Sequence, residues 1–325
     1  MPEIIITRKI FRDAIALLDG AGLDCWHNEV NEPLSLSEMQ TRVTGAEAII
    51  CLLTDKIDAR VMDAAPHLKI IANVAVGYDN IDVTAATERG IIVTNTPGVL
   101  TECTADLAFA LLLAVARRLV EADAYMRAGK FTGWELFQPH LGVDVYGKTL
   151  GIVGMGRIGT AVARRAALGF GMKVLYTSNG RKETAERELG ARFVSFDELL
   201  RRSDFVSIHT PLTPQTRHLF TLAEFRQMQR HAILINTARG PIVKEADLVQ
   251  ALEQGLIGGA GLDVFEEEPK AHPGLAALPN MVMVPHIGSA TMETRRRMAI
   301  MAAENAVAVL AGNDPLNPVN TNAGA

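Results

Sequence analysis

Short apolar runs and helical patterns take turns along this chain in two series, and that alternation most limits the folds open to it. The runs EIIIT, LDCWH, AEAIICLL, LKIIANVAV and GIIVTN fall in the first hundred residues. Helical windows such as FRDAIALLDGAG, LSLSEMQTRV and RVMDAAPH lie between them. A second series starts at KTLGIVG and continues through KVLYT, ARFV, DFVSIHT, AILINT, GAGLDVF and MVMVPH. A strand followed by a helix cannot close a hairpin. The helix instead carries the chain back to begin a parallel neighbour, so parallel sheets covered on both faces are expected. Two intervening helices have capping-box spacing, Ser195 with Glu198 and Thr221 with Glu224. The last helical pattern runs from about Met292 to Leu310 and stops at Gly312.

Two series in 325 residues imply two α/β domains, the second larger than the first. Between them lie an apolar helix, Ala105–Arg118, and a polar, aromatic stretch, YMRAGKFTGWELFQPHLGVDVYGK. The apolar run of that helix is 12 residues long and ends at Arg117 and Arg118, too short to span a bilayer. The C-terminal helix is expected to return to the first domain. That gives crossovers near residues 99–104 and 286–292, and an interdomain cleft is a usual place for cofactor and substrate to meet. A net charge of −5 offers no basic field for nucleic acid. The N-terminal MPEIIITRKIF lacks the apolar length of a signal sequence. Cys25, Cys51 and Cys103 are scattered, which points to neither a disulfide framework nor a metal site. A cytoplasmic protein with neither membrane nor nucleic-acid partner is expected.

The chemistry starts at GIVGMGRIG, where Gly154-x-Gly156-x-x-Gly159 follows an apolar strand and opens a helix. In that setting the pattern is a dinucleotide fingerprint. Gly154 makes a tight turn, Gly156 lets backbone approach a pyrophosphate, and Gly159 lets helix pack on sheet. The free N–H groups of the helix N-terminus then face the phosphates. An acid at the end of the next strand would bond a ribose 2′-hydroxyl and repel a 2′-phosphate. Here KVLYTSNGRK has Thr177, Ser178 and Asn179, then Arg181 and Lys182. Hydroxyl, amide and cationic donors suit a phosphate, so NADP(H) is the expected cofactor, with NAD(H) also accepted. The alternative is a solvated loop that does not discriminate between them.

Three groups sit after later strands, at the edge where open α/β sheets bind ligands: Arg239 in INTARGPIV, the acids of GLDVFEEEP beginning with Asp263, and His286 in VPHIGSAT. An Arg fixes an anionic substrate and a His transfers a proton. A carboxylate orients the His and favours its protonated form. Taken singly, each has a plain alternative: a surface ion pair, a solvated acidic turn before Pro269, a structural histidine.

The chain resembles the D-isomer-specific 2-hydroxyacid dehydrogenases over about residues 4–320. The segments that carry the likeness are VAVGYDNIDVTAATERGI, TPGVLTECTADLAFALLLAVARR, GKTLGIVGMGRIG, INTARGPIV, GLDVFEEEP and VPHIGSAT. It is most similar to the glyoxylate/hydroxypyruvate reductase branch, with 2-ketogluconate reductases next. The resemblance implies a Rossmann-type cofactor domain, 100–287, inserted into a flavodoxin-like substrate domain, 1–99 and 288–325, and a homodimer. It implies NAD(P)H-dependent reduction of small 2-keto acids to D-2-hydroxy acids.

Carried over residue by residue, the resemblance makes Arg239 the substrate anchor and His286 the proton donor. Glu268, the acid immediately before Pro269, supports His286, leaving Glu266 and Glu267 as solvent acids. Leu53, Val76, Gly77 and Trp134 belong to the substrate pocket. Backbone N–H groups of Ala75–Gly77 hold the substrate carboxylate, and Trp134 reaches a partner subunit's site. Thr104, Arg157, Ile158, Pro211, Thr216, Thr237 and Gly288 join the Gly loop and the Ser178–Arg181 loop around the cofactor. Asp263 bonds the nicotinamide carboxamide. One departure stands out: Asn179 lies where the family's NADPH-type sequences often have Arg. Rival readings are a nucleotide-sensing corepressor-like protein, a phosphoglycerate dehydrogenase, and a formate dehydrogenase, whose branch has Gln at position 268.

Overall fold

A computed structural model describes residues 2–320. Its contacts divide the chain into a smaller unit, Met1–Leu100 with Thr291–Ala325, and a larger one, Thr101–Ala290.

The smaller unit is built on five parallel strands: β1 (Ile4–Ile6), β2 (Cys25–His27), β3 (Ala48–Cys51), β4 (Ile70–Asn73) and β5 (Ile92–Thr94). They are ordered β2-β1-β3-β4-β5, the flavodoxin-like arrangement. β1, β3 and β4 are buried at every position, which explains why they read as continuous apolar runs rather than alternations. Helices Leu36–Val43, Ala59–Asp63 and Val83–Glu88 help cover one face, with Ile5, Ile49, Ile71 and Val93 in the shared core. The C-terminal helix Met292–Leu310 packs on β3, β4 and helix Arg12–Gly20. The segment after it seals the free edge of β5. Val319 N–H donates to Val93 O at 2.8 Å, Asn95 N–H to Asn317 O at 3.3 Å, and Val93 N–H to Asn320 Oδ1 at 2.7 Å.

The larger unit has seven parallel strands: β6 (Thr149–Val153), β7 (Lys173–Thr177), β8 (Arg192–Phe193), β9 (Phe205–Ile208), β10 (Ile233–Asn236), β11 (Gly259–Leu262) and β12 (Met281–Met283). Their order, β12-β11-β10-β9-β6-β7-β8, is the doubly wound Rossmann arrangement with its switch point between β6 and β9. Helix Thr101–Ala116 lies against β10, β11, β12 and the Gly-loop helix, burying Ala105, Ala108, Leu111 and Leu112. Gly288 goes with this unit because its N–H donates to Asp263 Oδ2 at 2.8 Å.

Local details differ from the sequence reading. The apolar helix begins at Thr101 rather than Ala105, since its polar first turn carries no apolar stripe. A further helix, Leu119–Arg127, follows Arg118, whose φ of 51° breaks the pattern and hides the second helix from view. Ser195 caps its helix, but the reciprocal bond is missing because Glu198 turns to Arg202 one turn on. Thr221 and Glu224 make the full box, as do Ser35 and Glu38, a pair the sequence reading passes over. Among the described residues no helix is long and apolar enough to cross a membrane, and no cluster of His, Cys, Asp or Glu could hold a metal ion.

Candidate active site

Every candidate group of the larger unit except Thr104 and Trp134 follows the C-terminal end of a strand, and the Gly loop after β6 shows why its glycines are needed. Gly154 has φ +99°, and a Cβ there would lie 2.6 Å from the His209 carbonyl carbon. A Cβ on Gly159 would lie 2.2 Å from the Gly154 carbonyl oxygen, so helix Arg157–Arg164 could not pack this closely on the loop. Gly156 caps that helix without a side-chain bond and faces open space. The result is a helix N-terminus with uncovered N–H groups, a cradle for a phosphate.

Around it, Ser178 is half-buried, Asn179 is exposed, and neither side chain is bonded among the described residues. Arg181 is engaged: Nε and Nη2 reach Glu186 at 3.1 and 2.6 Å. Tyr176 hydroxyl donates to the same carboxylate at 2.7 Å and accepts Lys182 N–H at 2.6 Å. The bonds from Arg181 and Tyr176 hold Glu186 below the usual carboxylate range.

Thr237, at the end of β10, is 8% exposed and its Oγ1 has no hydrogen-bond partner. A buried orphan hydroxyl at the ligand edge of a Rossmann sheet is a donor waiting for a ligand. Thr104 hydroxyl instead donates to Gly288 O at 3.1 Å, and Thr216 hydroxyl to Pro211 O at 2.7 Å. These two close loops within the protein. The donors of the Gly loop and Thr237 fit a dinucleotide.

Three loops, after β10, β11 and β12, carry the candidate catalytic groups. Arg239 is half-buried. Its loop is closed by the buried Asn236 side chain, which donates to Arg239 O at 2.9 Å and accepts Ala238 N–H at 3.0 Å. His286 Nδ1 lies 2.9 Å from Glu268 Oε2, and Glu268 Oε1 accepts Phe265 N–H at 3.0 Å. Burial would raise the Glu268 pKa. The His286 hydrogen bond and charge, the Phe265 N–H and the charge of Arg239 together bring it below the ordinary value.

His286 has φ +51°, a conformation rare for a side-chain-bearing residue and held here from both sides. Its N–H donates to Asp263 O at 2.9 Å, while Ile287 and Gly288 N–H donate to the Asp263 carboxylate at 2.6 and 2.8 Å. Asp263 is 1% exposed, and burial raises its pKa. Both its oxygens hold the His286 loop, which is the part this geometry gives it.

Glu266 is not a solvent acid. Its Oε1 lies 2.5 Å from His218 Nε2 and its Oε2 accepts Glu245 N–H at 3.0 Å. The run of acids hides this because nothing in EEEP separates an outward carboxylate from an inward one.

In the smaller unit, Leu53, Val76 and Gly77 are half-buried in loops after β3 and β4. The carbonyls of Ala75, Val76 and Gly77 accept from Thr96 N–H (2.9 Å), Asn95 Nδ2 (2.8 Å) and Asn73 Nδ2 (2.8 Å). Their N–H groups have no acceptor among the described residues. Asn80 ties the two loops together by donating to Leu52 O at 3.1 Å and Asp55 O at 3.0 Å. Asp55, 3% exposed, is bound in turn by Arg8 Nε at 3.0 Å and Leu52 N–H at 2.9 Å. Sequence reading misses this support, although VAVGYDNID contains Asn80. Trp134 is 77% exposed, on an irregular stretch beside the exposed Leu136 and Phe137.

Comparison with known proteins gives the setting. The model of the D-isomer specific 2-hydroxyacid dehydrogenase NAD-binding domain matches residues 109–288. The glyoxylate reductase of Korarchaeum cryptofilum is 53% identical over 322 residues, covering 98% of this chain and 96% of that protein. The crystal structure of TT0316 protein from Thermus thermophilus superposes with TM-score 0.89 at 51% identity, covering 98% of this chain and 99% of the other. An NADPH-dependent glyoxylate/hydroxypyruvate reductase from Sinorhizobium meliloti, solved with NADP and malonate, gives TM-score 0.87 at 34% identity, covering 99% and 97%.

Proposed function

The chain belongs to the D-isomer specific 2-hydroxyacid dehydrogenase family, and on that premise we propose that it reduces glyoxylate and hydroxypyruvate to their 2-hydroxy acids, with D configuration where C2 is stereogenic. It is an NAD(P)-dependent dehydrogenase. The observation that carries the mechanism is the His286–Glu268 contact with the charge of Arg239 acting on the same carboxylate.

Arg239 binds the keto-acid carboxylate and polarises the C2 carbonyl. A nicotinamide dinucleotide held by the Gly loop and Thr237 would supply hydride to C2. Because Glu268 occupies Nδ1 of His286, the proton comes from Nε2 and goes to the carbonyl oxygen as charge develops there. Glu268 then keeps the remaining proton on Nδ1, so the neutral ring is left in one tautomer. Asp263 holds the His286 backbone at its unusual φ, which aims the ring. The balance is keto acid, NAD(P)H and a proton giving hydroxy acid and NAD(P)⁺. In the smaller unit, the open N–H groups of Val76 and Gly77 are assigned to carboxylate binding, with Leu53 shaping acceptance of larger acids.

The Gly loop, Arg157, Ile158 and Thr237 are assigned to the dinucleotide, with NADPH preferred. Support comes from the missing acid after β7 and the unbonded Ser178 and Asn179. An exposed ion pair such as Arg181–Glu186 is weak, and a phosphate dianion competes with it for the guanidinium. A homodimer that covers the exposed Phe131, Trp134, Leu136 and Phe137 is part of this reading. So is a reducing cytoplasm that suits three free thiols. Initial rates with glyoxylate, hydroxypyruvate and 2-ketogluconate, each with NADH and NADPH, test the reading. Consumption of none of the acids would end it, and 2-ketogluconate as the best substrate would redirect it.

A further inference from the structure

Three side chains outside the catalytic set tie the Arg239 loop to the Glu268 loop. The first loop runs through the turn Gly240–Ile242 into helix Glu245–Glu253, and the second leads from β11 past Glu268 to His272. Glu245 and Glu266 clasp each other across the gap: Glu266 N–H donates to Glu245 Oε1 at 2.6 Å, and Glu245 N–H to Glu266 Oε2 at 3.0 Å. The second Glu245 oxygen accepts His272 N–H at 2.7 Å, so the clasp grips the loop on both sides of Glu268. His218 completes it. Its Nε2 lies 2.5 Å from Glu266 Oε1, and its N–H donates to Pro241 O at 2.8 Å in the Arg239 loop.

Glu245 is 5% exposed. The loops touch so closely that a Cβ on Gly240 would lie 1.8 Å from Phe265 O. The nearby charges are Asp247, which accepts Leu222 N–H and pairs with Lys244 at 3.1 Å, and, around Glu268, Arg239, Asp263 and His286. Apolar contact alone would hold two loops together without fixing their register. Three directional hydrogen bonds fix residue 266 to residues 245 and 218. Two more, His272 to Glu245 and His218 to Pro241, complete the link that fixes Glu268 relative to Arg239.

We propose that Glu245, Glu266 and His218 are positioning residues for the reduction, holding Glu268, and through it His286, in register with Arg239. The proposal rests on the roles assigned above to those three. Misplacement of a catalytic group by about 1 Å can cost up to about 100-fold in rate.

The test uses full-length Glu266→Ala, Glu266→Gln and His218→Asn, with Arg239→Ala and His286→Ala as references. Asn tolerates the φ of +53° at position 218. The readouts are kcat and KM for glyoxylate, the pH profile of kcat/KM, the melting temperature, and NADPH affinity by fluorescence. Glu266→Ala is expected to lower kcat about 10- to 100-fold, raise KM, and move the alkaline limb of the profile to lower pH. Its NADPH affinity should be unchanged. Glu266→Gln, which keeps an acceptor, should recover most of the rate, and His218→Asn should move the limb in the same direction. Wild-type kcat and limb in both Glu266→Ala and His218→Asn, while the references collapse, would overturn the clasp and leave the site reading standing. Wild-type turnover in the references would overturn the site reading itself. If Glu266→Ala does not fold, the limb of His218→Asn decides alone.

Discussion

One carboxylate, Glu268, joins the loops after β11 and β12: its Oε2 lies 2.9 Å from His286 Nδ1 while its Oε1 takes the Phe265 N–H at 3.0 Å. Both oxygens are therefore committed, and the His ring is held from behind with Nε2 directed away from the pair. His286→Ala should lower kcat by about 10²–10⁴-fold, the contribution of a positioned general acid. Glu268→Gln should lose less at acidic pH and more at alkaline pH, since a neutral amide supports the imidazolium poorly. Steady-state rates from about pH 5 to 9, spanning the range in which histidines titrate, check both. A His286→Ala enzyme with native turnover would remove His286 from the chemistry.

The loop after β7 offers a cofactor test. Ser178→Asp with Arg181→Ala places an acid beside the proposed ribose site and removes the guanidinium that now pairs with Glu186. The ratio of kcat/KM for NADPH over NADH should fall by at least about tenfold, equivalent to about 1.4 kcal/mol. Asn179→Arg should move the ratio the other way. An unmoved ratio in both variants would make this stretch a plain turn.

Arg8 and Asp55 form a buried ion pair whose side chains are 7% and 1% exposed. Asp55 also takes Thr7 hydroxyl at 2.5 Å and Leu52 N–H at 2.9 Å. Arg8→Met leaves a buried carboxylate without its countercharge, a change that typically costs about 3–5 kcal/mol. Chemical denaturation would measure it, and a cost below about 1 kcal/mol would show the pair to be dispensable.

Acid should weaken the fold through His209. Burial at the end of β9 pushes its pKa down to about 3, with Ser207 Oγ 2.8 Å from Nε2. The folded ring stays neutral where the unfolded one gains a proton, below an ordinary pKa of about 6.5. Stability from this group is complete above that value and is lost as pH falls from about 6.5 toward 3. Urea midpoints at about pH 7, 6 and 5, across the onset of that loss, should decline in the wild type and decline less in His209→Gln. Parallel declines would assign the acid sensitivity elsewhere.

How far the sequence can be read follows from the range of the interactions. Strand runs such as EIIIT and AILINT are legible because full burial on two faces demands unbroken apolar residues. Gly154 and Gly159 are legible because no other residue fits their geometry. The place of His286 after its strand marks it as a candidate, and the family resemblance singles out Glu268 from its acidic run, but neither reveals their contact across 18 residues. Glu266 reads as solvated because its partners, Glu245 and His218, lie 21 and 48 positions away. The Asn80 bonds to the Leu52–Asp55 turn are invisible for the same reason. Helix Leu119–Arg127 is lost to one left-handed residue, Arg118.

The edge of β5 is closed by residues 317–320, and β3 and β4 lie under helix Met292–Leu310. During synthesis, the five-stranded sheet therefore leaves the ribosome before the seven-stranded one but is finished after it. Its opening hundred residues lack the helix over β3 and β4 and the closure of the β5 edge until the larger unit has been made. Nascent chains halted after Ala290 should be cleaved by protease within the first hundred residues. Release of the segment from Thr291 onward should protect them. The order of translation thus puts synthesis of the larger unit before completion of the smaller one.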